Sequence, residues 1–284
     1  MTIVSNASSI ILPELAGTPG TVSALLSALE TARGSREPSE GAAVALREVA
    51  DAGLPAGEIV FQPVELDNPC AAYFELEAPL AGGGILRARL IEPVGTSRVS
   101  GDAPLVLMFH DAGRPVRGWL HMTRFVALGF AVLALDGGCI PFGEAISELP
   151  SLAVGACALA RTGFGLDGVD HSRICTWGEG LGGALAVIVA EAFPTRIARC
   201  AVLNPFPVDD ERVPEHLDAA CMAGQLVCEL LVGTGLLDEI APPEGQAALV
   251  NRAHGPVRQL FYPKYGHERV NDFENEVLRF LFAI

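Results

Sequence analysis

From residue 105 to the C terminus the chain alternates two kinds of segment, and this alternation constrains the fold more than any other feature. Leu105–Phe109 and Ala131–Leu135 are uninterrupted apolar runs of strand length. Such runs suit parallel strands covered on both faces. Ile174-Cys175-Thr176-Trp177, Cys200–Leu203, Glu229–Val232 and Gln259–Tyr262 follow. Between them, helical spacing predicts helices near 116–127, 150–162, 181–193, 215–224 and 243–254. A last helix carries Val270, Phe273, Val277 and Phe280 on one face. Strands alternating with helices over this length predict an α/β architecture: a mostly parallel central sheet with helices on both faces.

Ahead of this region, Ile59-Val60-Phe61 and Ala72–Glu77 read as strands. Ile85–Ile91 alternates Leu86, Ala88 and Leu90 with Arg87 and Arg89, the pattern of a half-buried antiparallel strand. Two antiparallel strands are therefore expected before the parallel series, joined by the turn Ala81-Gly82-Gly83-Gly84. Residues 1–56 differ. Thr21–Ala32 and Ser39–Ala52 have helical spacing and are split by Gly34-Ser35-Arg36-Glu37-Pro38. The expected organisation is an N-terminal helical extension, 1–56, packed on an α/β domain, 57–284.

Charge excludes whole classes of function. With 34 acidic and 19 basic residues the net charge is −15, so there is no Lys/Arg excess to neutralise nucleic-acid phosphates, and an anionic membrane surface would repel the chain. The apolar runs, Leu152–Ala160 and Ala184–Ala190 among the longest, fall short of the ~18 residues of a membrane span. Met1-Thr2-Ile3-Val4-Ser5-Asn6 has no basic region before an apolar stretch, so no secretory signal is expected. Seven cysteines without ligand spacing read as reduced thiols of a cytoplasmic protein, and no metal or cofactor is expected.

The chemistry is concentrated in four segments. Ile174–Ala184 ends a strand, passes Trp177-Gly178-Glu179-Gly180-Leu181-Gly182-Gly183 and opens an apolar helix. That is the setting of a Gly-x-Ser-x-Gly nucleophile elbow, in which small residues let a helix cross close to a strand and the central side chain stands above the sheet. Here the centre is Gly180, with neither hydroxyl nor thiol. Asp238 follows the strand near 229–232. His267, in Tyr265-Gly266-His267-Glu268, follows the last strand. Elbow, acid and histidine in this order match the α/β-hydrolase order. Phe109-His110-Asp111-Ala112-Gly113 follows the first central strand, where such a fold supplies one oxyanion-hole N–H; Ala112 and Leu181 are the candidate donors. His110, Glu179 and Cys139 are further pocket candidates at strand ends. Cys175 and Thr176, inside the strand, are expected to be buried. A different reading takes Gly178–Gly183 as a phosphate cradle at a helix start, with no role for His267.

Together these segments resemble the acetyl xylan esterase / cephalosporin-C deacetylase family of α/β-hydrolases, over roughly residues 57–284. The resemblance is carried by the His110 loop, the Gly178–Gly183 elbow, Asn204-Pro205-Phe206, Gly235-Leu236-Leu237-Asp238 with Pro242-Pro243, and Tyr265-Gly266-His267-Glu268. It implies a Ser–His–Asp triad acting on acetylated sugars and related esters, and homo-oligomers. This chain departs from the pattern. Gly180 stands at the serine position, Leu181 where a Gln is usual, Ala112 where the His-Gly-Tyr loop has its aromatic, and Gly137-Gly138-Cys139 where Arg-Gly-Gln follows Asp136.

Loss of the serine costs a serine hydrolase about 10⁶-fold in kcat. Three expectations follow. The first is a pseudo-enzyme or very weak ester hydrolase that binds or acts on a small acylated, sugar-like ligand. The second is a water-dependent hydrolase in which His267, oriented by Asp238, is the general base. The third is a non-catalytic structural subunit with a vestigial site.

Overall fold

The computed structural model describes residues 2–5, 8–11, 19–94, 102–114 and 118–283. From residue 60 onward nine strands form one mixed sheet: β3 (Val60–Pro63), β4 (Ala71–Pro79), β5 (Ile85–Pro93), β6 (Ala103–Phe109), β7 (Ala131–Leu135), β8 (Val169–Glu179), β9 (Arg199–Leu203), β10 (Glu229–Gly235) and β11 (Val257–Tyr262). Two short N-terminal strands, β1 (Thr2–Ser5) and β2 (Ser8–Ile11), extend it at one edge. The order across the sheet is β1-β2-β11-β10-β9-β8-β6-β7-β5-β4-β3. From β7 to β11 every neighbour is parallel, while β3, β4 and β5 continue antiparallel from β7. Three antiparallel strands thus precede the parallel series, where the residue pattern predicts two.

The apolar runs behave as their composition requires. All seven residues of β6 and all five of β7 are buried. Side chains alternate between the two faces: Leu105, Leu107 and Phe109 belong to one core, Val106 and Met108 to the other. The first core lies under α2 (Ala42–Ala52), α4 (Ala145–Gly163), α5 (Leu181–Ala192) and α7 (Pro243–Arg252). The second lies under α3 (Trp119–Val126) and α8 (Asn271–Phe282). On β5, Leu86, Ala88 and Leu90 point inward. Arg87 and Arg89 face Glu77 and Glu75 across β4, in register. The Arg87–Glu77 pair, 2.8 Å apart and mostly exposed, contributes at most ~1 kcal/mol.

Two differences from the sequence reading have simple causes. Residues 142–163 form a helical stretch long and apolar enough, by composition, to cross a membrane. In the fold, α4 packs against α2, α5 and strands β5 to β7, and its alanines are core residues. Pro150 lies inside this helix, which is why the spacing rule starts it late. The stretch near 215–224 is broken into a 3-10 turn (Glu215–Leu217), one α-helical turn, α6 (Ala219–Met222), and a second 3-10 turn (Ala223–Gln225); Asp218 starts α6, accepting from Ala220 N–H and Cys221 N–H.

The N-terminal helices form as predicted, α1 as Pro19–Thr31 and α2 as Ala42–Ala52. The β1–β2 hairpin was not anticipated. Its strand β2 pairs in parallel with β11, Ser8 opposite Val257, so residues 1–56 are not purely helical. The link between α1 and α2 docks through Arg36, whose guanidinium meets the buried Asp218 at 2.6 Å.

Candidate active site

Every segment that carries chemistry emerges from the carboxyl edge of a parallel strand: 110–114 after β6, 180 after β8, 204–206 after β9, 238 after β10 and 267 after β11. Open α/β sheets place their ligands at this edge.

The elbow is built as its glycines demand. A Cβ on Gly178 would stand 2.0 Å from Gly182 O, and one on Gly182 would stand 2.5 Å from the Phe109 backbone. No larger side chain fits where α5 crosses β6 and β8. Gly180 sits at φ 51°, ψ −122°, a sharp left-handed turn that costs other residues ~1–3 kcal/mol. Its backbone is anchored on both sides, Gly180 N–H donating to Leu203 O (2.9 Å) and Phe206 N–H to Gly180 O (2.9 Å).

The space above Gly180 is filled by Asp111. A Cβ on Gly180 would lie 1.8 Å from Asp111 Oδ1. That oxygen accepts from Ala112 N–H (2.7 Å) and from Leu181 N–H (3.0 Å). The two candidate oxyanion donors therefore converge on one oxygen atom, and it belongs to the protein itself. The other carboxylate oxygen, Oδ2, lies 3.4 Å from His267 Nε2, an ion-pair distance too long for a good hydrogen bond.

Behind this carboxylate stands the Asp238–His267 pair. Asp238 Oδ1 accepts from Ile240 N–H (2.9 Å) and Ala241 N–H (2.8 Å). Its Oδ2 meets His267 Nδ1 at 2.8 Å. The His267 side chain is 5% exposed and lies edge-on to Phe142 and Phe206. Burial pulls its pKa down, but the flanking Asp111 and Asp238 carboxylates outweigh this and push it up to about 9. The two flanking acids thus favour the imidazolium form of the ring.

Asn204 ties the two sides together. In a left-handed conformation at φ 46°, its amide donates to Gly266 O (2.9 Å) and accepts from Gly235 N–H (2.8 Å), fixing the His267 loop to the end of β10. The enclosed space beside Asp111 and His267 is about 10 Å³, enough for about one water. This small cleft is lined also by Arg114, Glu179 and Arg269. A larger cavity, about 520 Å³, lies between the β4–β5 turn and α4 and reaches none of Gly180, Asp238 and His267.

The other candidates take different places. Glu179 is buried and lines the cleft, within electrostatic reach of Arg269. His110 is buried but turns to backbone: Nδ1 lies 3.0 Å from Asp111 O and Nε2 3.4 Å from Gly137 N. It shapes the loop rather than lining the cleft. Cys139 is exposed and outside the cleft lining. Cys175 and Thr176 are fully buried, and burial pushes the Cys175 thiol up to about 12. A phosphate at the start of α5 would meet the Asp111 carboxylate already on Leu181 N–H. Among the described residues no group of three or more His, Cys, Asp or Glu side chains is arranged to hold a metal ion. Asp111 is the functional residue that sequence reasoning missed. The signal was an acid next to the Ala112 donor in a chain with Gly180 at the centre of the elbow.

No family model matches the chain. The solved structures it resembles include acetyl xylan esterase 1 from a Thermoanaerobacterium species, at TM-score 0.79 and 20% identity over 91% of this chain and 98% of that one. An acetyl xylan esterase from a Paenibacillus species gives TM-score 0.78 and 19% identity, over 91% and 99%. The fold is that of the α/β hydrolases. A cold-adapted esterase from an Arctic intertidal metagenomic library shares the hydrolase fold at TM-score 0.64 and 15% identity, over 79% of this chain and 98% of that one. In sequence, the chain is 30% identical over 118 residues to a protein of Mycobacterium phage D29 provisionally named a non-heme haloperoxidase. That match spans 39% of this chain and 39% of the phage protein.

Proposed function

We propose that this chain is a hydrolase-fold protein of the acetyl-esterase type that forms no acyl-enzyme and is silent toward carboxylic esters at neutral pH. The observation that carries this reading is the Asp111 carboxylate on the Ala112 and Leu181 N–H groups. Acyl transfer needs a nucleophile beside the histidine and an empty donor pair for the developing oxyanion. Gly180 supplies no nucleophile, and the donor pair already holds a negative oxygen. A small acylated ligand would have to displace that oxygen before its own carbonyl could bind.

Water activated by His267 is the weaker route. A ring held charged up to about pH 9 has no lone pair to accept a proton at pH 7. The test is hydrolysis of p-nitrophenyl acetate and of an acetylated xylo-oligosaccharide at pH 7. The expected result is no burst and a rate equal in the native protein and in His267→Ala. Turnover that depends on His267 would overturn the reading.

A further inference from the structure

We propose that the cavity of about 520 Å³ between the β4–β5 turn and α4 binds a small organic ammonium ion. Its lining includes none of Gly180, Asp238 and His267, so the inference is independent of the reading above.

The cavity has the size and the place of a ligand site. Small-molecule pockets span ~300–1,000 Å³, whereas the space beside Asp111 takes about one water. Asp136, in the lining, is the first residue after β7. That is again the carboxyl edge of a parallel strand, two strands from β8 across the sheet. Antiparallel β5 runs past this edge, because Ala88 pairs with Leu135 and Leu86 lies beyond. Leu86 and Leu135 supply an apolar wall from the sheet, and Leu152 and Val154 supply another from α4.

One glycine marks the cavity as kept open. Six glycines line it. Five are explained locally: each has a left-handed φ or would place a Cβ 3.0 Å or less from a neighbour. Gly155 has neither reason. It lies inside α4, where its Cβ would meet Leu135 Cδ1 at an ordinary 3.7 Å. Glycine is a poor helix residue and alanine the best, so packing permits and propensity favours a side chain there. The bare position leaves the α4 wall open beside Leu152.

The polar atoms choose the charge of the ligand. Asp136 Oδ1 accepts from Gly138 N–H at 3.2 Å. Among the described residues its Oδ2 meets no donor and no cation. Arg87, also in the lining, is engaged by Glu77 at 2.8 Å. Ser151, on the α4 side, bonds back to Glu148, at 2.9 Å to its carbonyl and 3.3 Å to its carboxylate. One acid is thus presented to the cavity and a second stands at its rim, in a chain of net charge −15. An anion would be repelled. A neutral ligand would strip water from the Asp136 carboxylate without supplying a counter-charge. A metal ion needs several ligands, and among the described residues no group of three or more His, Cys, Asp or Glu side chains could hold one. An ammonium group donates to Oδ2 in a charge-assisted hydrogen bond, and its hydrocarbon lies along the leucines.

The experiment titrates the full, ¹⁵N-labelled chain at pH 7 and physiological salt with three probes. Each is a phenyl ring on a two-carbon arm: phenethylammonium, 2-phenylethanol and 3-phenylpropionate. Phenethylammonium is expected to shift the backbone amides of Gly84, Gly138 and Gly155, and to bind about 10-fold tighter than the alcohol. The propionate should bind more weakly than either. Asp136→Asn should lower the cation's affinity to that of the alcohol and leave the alcohol's unchanged. Gly155→Leu should abolish all three responses. Gly155→Ala should raise Tm and weaken the three probes alike, and it carries the occlusion arm if circular dichroism shows the Leu variant misfolded. The proposal is overturned if phenethylammonium leaves these amides unmoved or binds no tighter than the alcohol. It is also overturned if Asp136→Asn keeps the preference for the cation, which would then reflect general attraction to an acidic chain, or if a folded Gly155→Leu binds as the native protein does. None of these readouts involves ester turnover, so either reading can fail alone.

Discussion

In the loops after β10 and β11, Asp238 and His267 are joined at 2.8 Å, with the acid steadied by two backbone N–H groups. This is the arrangement that orients an imidazole in a hydrolase. After β6 and β8 the turn at Gly180 has φ 51° and no side chain at its centre, and an acid from another loop fills the space above it. The first half is a pair of side chains; the second is a backbone shape with a carboxylate set into it. A backbone turn held by Gly178, Gly182 and the Leu203 and Phe206 hydrogen bonds persists without the residue it would present. The vacant volume is taken by the nearest group that satisfies the two N–H donors.

The largest effect should come from putting a hydroxyl at the turn in place of that carboxylate. Gly180→Ser alone collides with Asp111, because even a Cβ there lies 1.8 Å from Oδ1. The double variant Gly180→Ser with Asp111→Gly clears the donor pair beneath an intact Asp238–His267 pair. We expect it to hydrolyse p-nitrophenyl acetate about 10³-fold faster than either single variant. A folded but inert double variant would mean that the donors and the histidine are not in register.

A second contrast concerns charge. His267 is raised to about 9 when folded and has an ordinary value of 6.5. Its contribution to stability is therefore complete below pH 6.5 and is lost as pH rises through about 9. The span corresponds to about 3 kcal/mol. Thermal unfolding between pH 7 and pH 10 should reveal this loss, and ring resonances should titrate near 9. Asp111→Asn should lower the midpoint, since it removes one of the two raising charges. An unchanged titration would show that the two halves are electrostatically independent.

The smallest effect tests the connection between them. Asn204→Ala removes the bonds to Gly266 O and from Gly235 N–H and places Ala at φ 46°. We expect a loss of about 2 kcal/mol in urea unfolding. The His267 ring should broaden in NMR spectra while the Asp111 contacts with Ala112 and Leu181 persist. A Gly180-side change of equal size would contradict a division of the site into two supports.

Much of this was legible in the residues. The bare apolar runs of β6 and β7 announced strands buried on both faces, and Leu86, Ala88 and Leu90 announced a one-sided strand. Gly178 and Gly182 announced a close helix crossing, and Asp238 and His267 lay in the order that brings them together. Less legible was α4, whose Pro150 interrupts a helix that packing nevertheless sustains. The β1–β2 hairpin joins β11 across about 250 residues, a pairing that no local pattern encodes.

The amino-acid order by itself determined the succession of strands and helices, the turn at Gly180 and the absence of a hydroxyl there. Each depends on interactions within a few residues, on side-chain period, steric size and backbone freedom. Only the tertiary structure decided what fills the gap. Asp111 meets Leu181 N–H across 70 positions and His267 across more than twice that. Which acid reaches two unsatisfied donors is settled by the meeting of strand ends, where a buried N–H must find an oxygen.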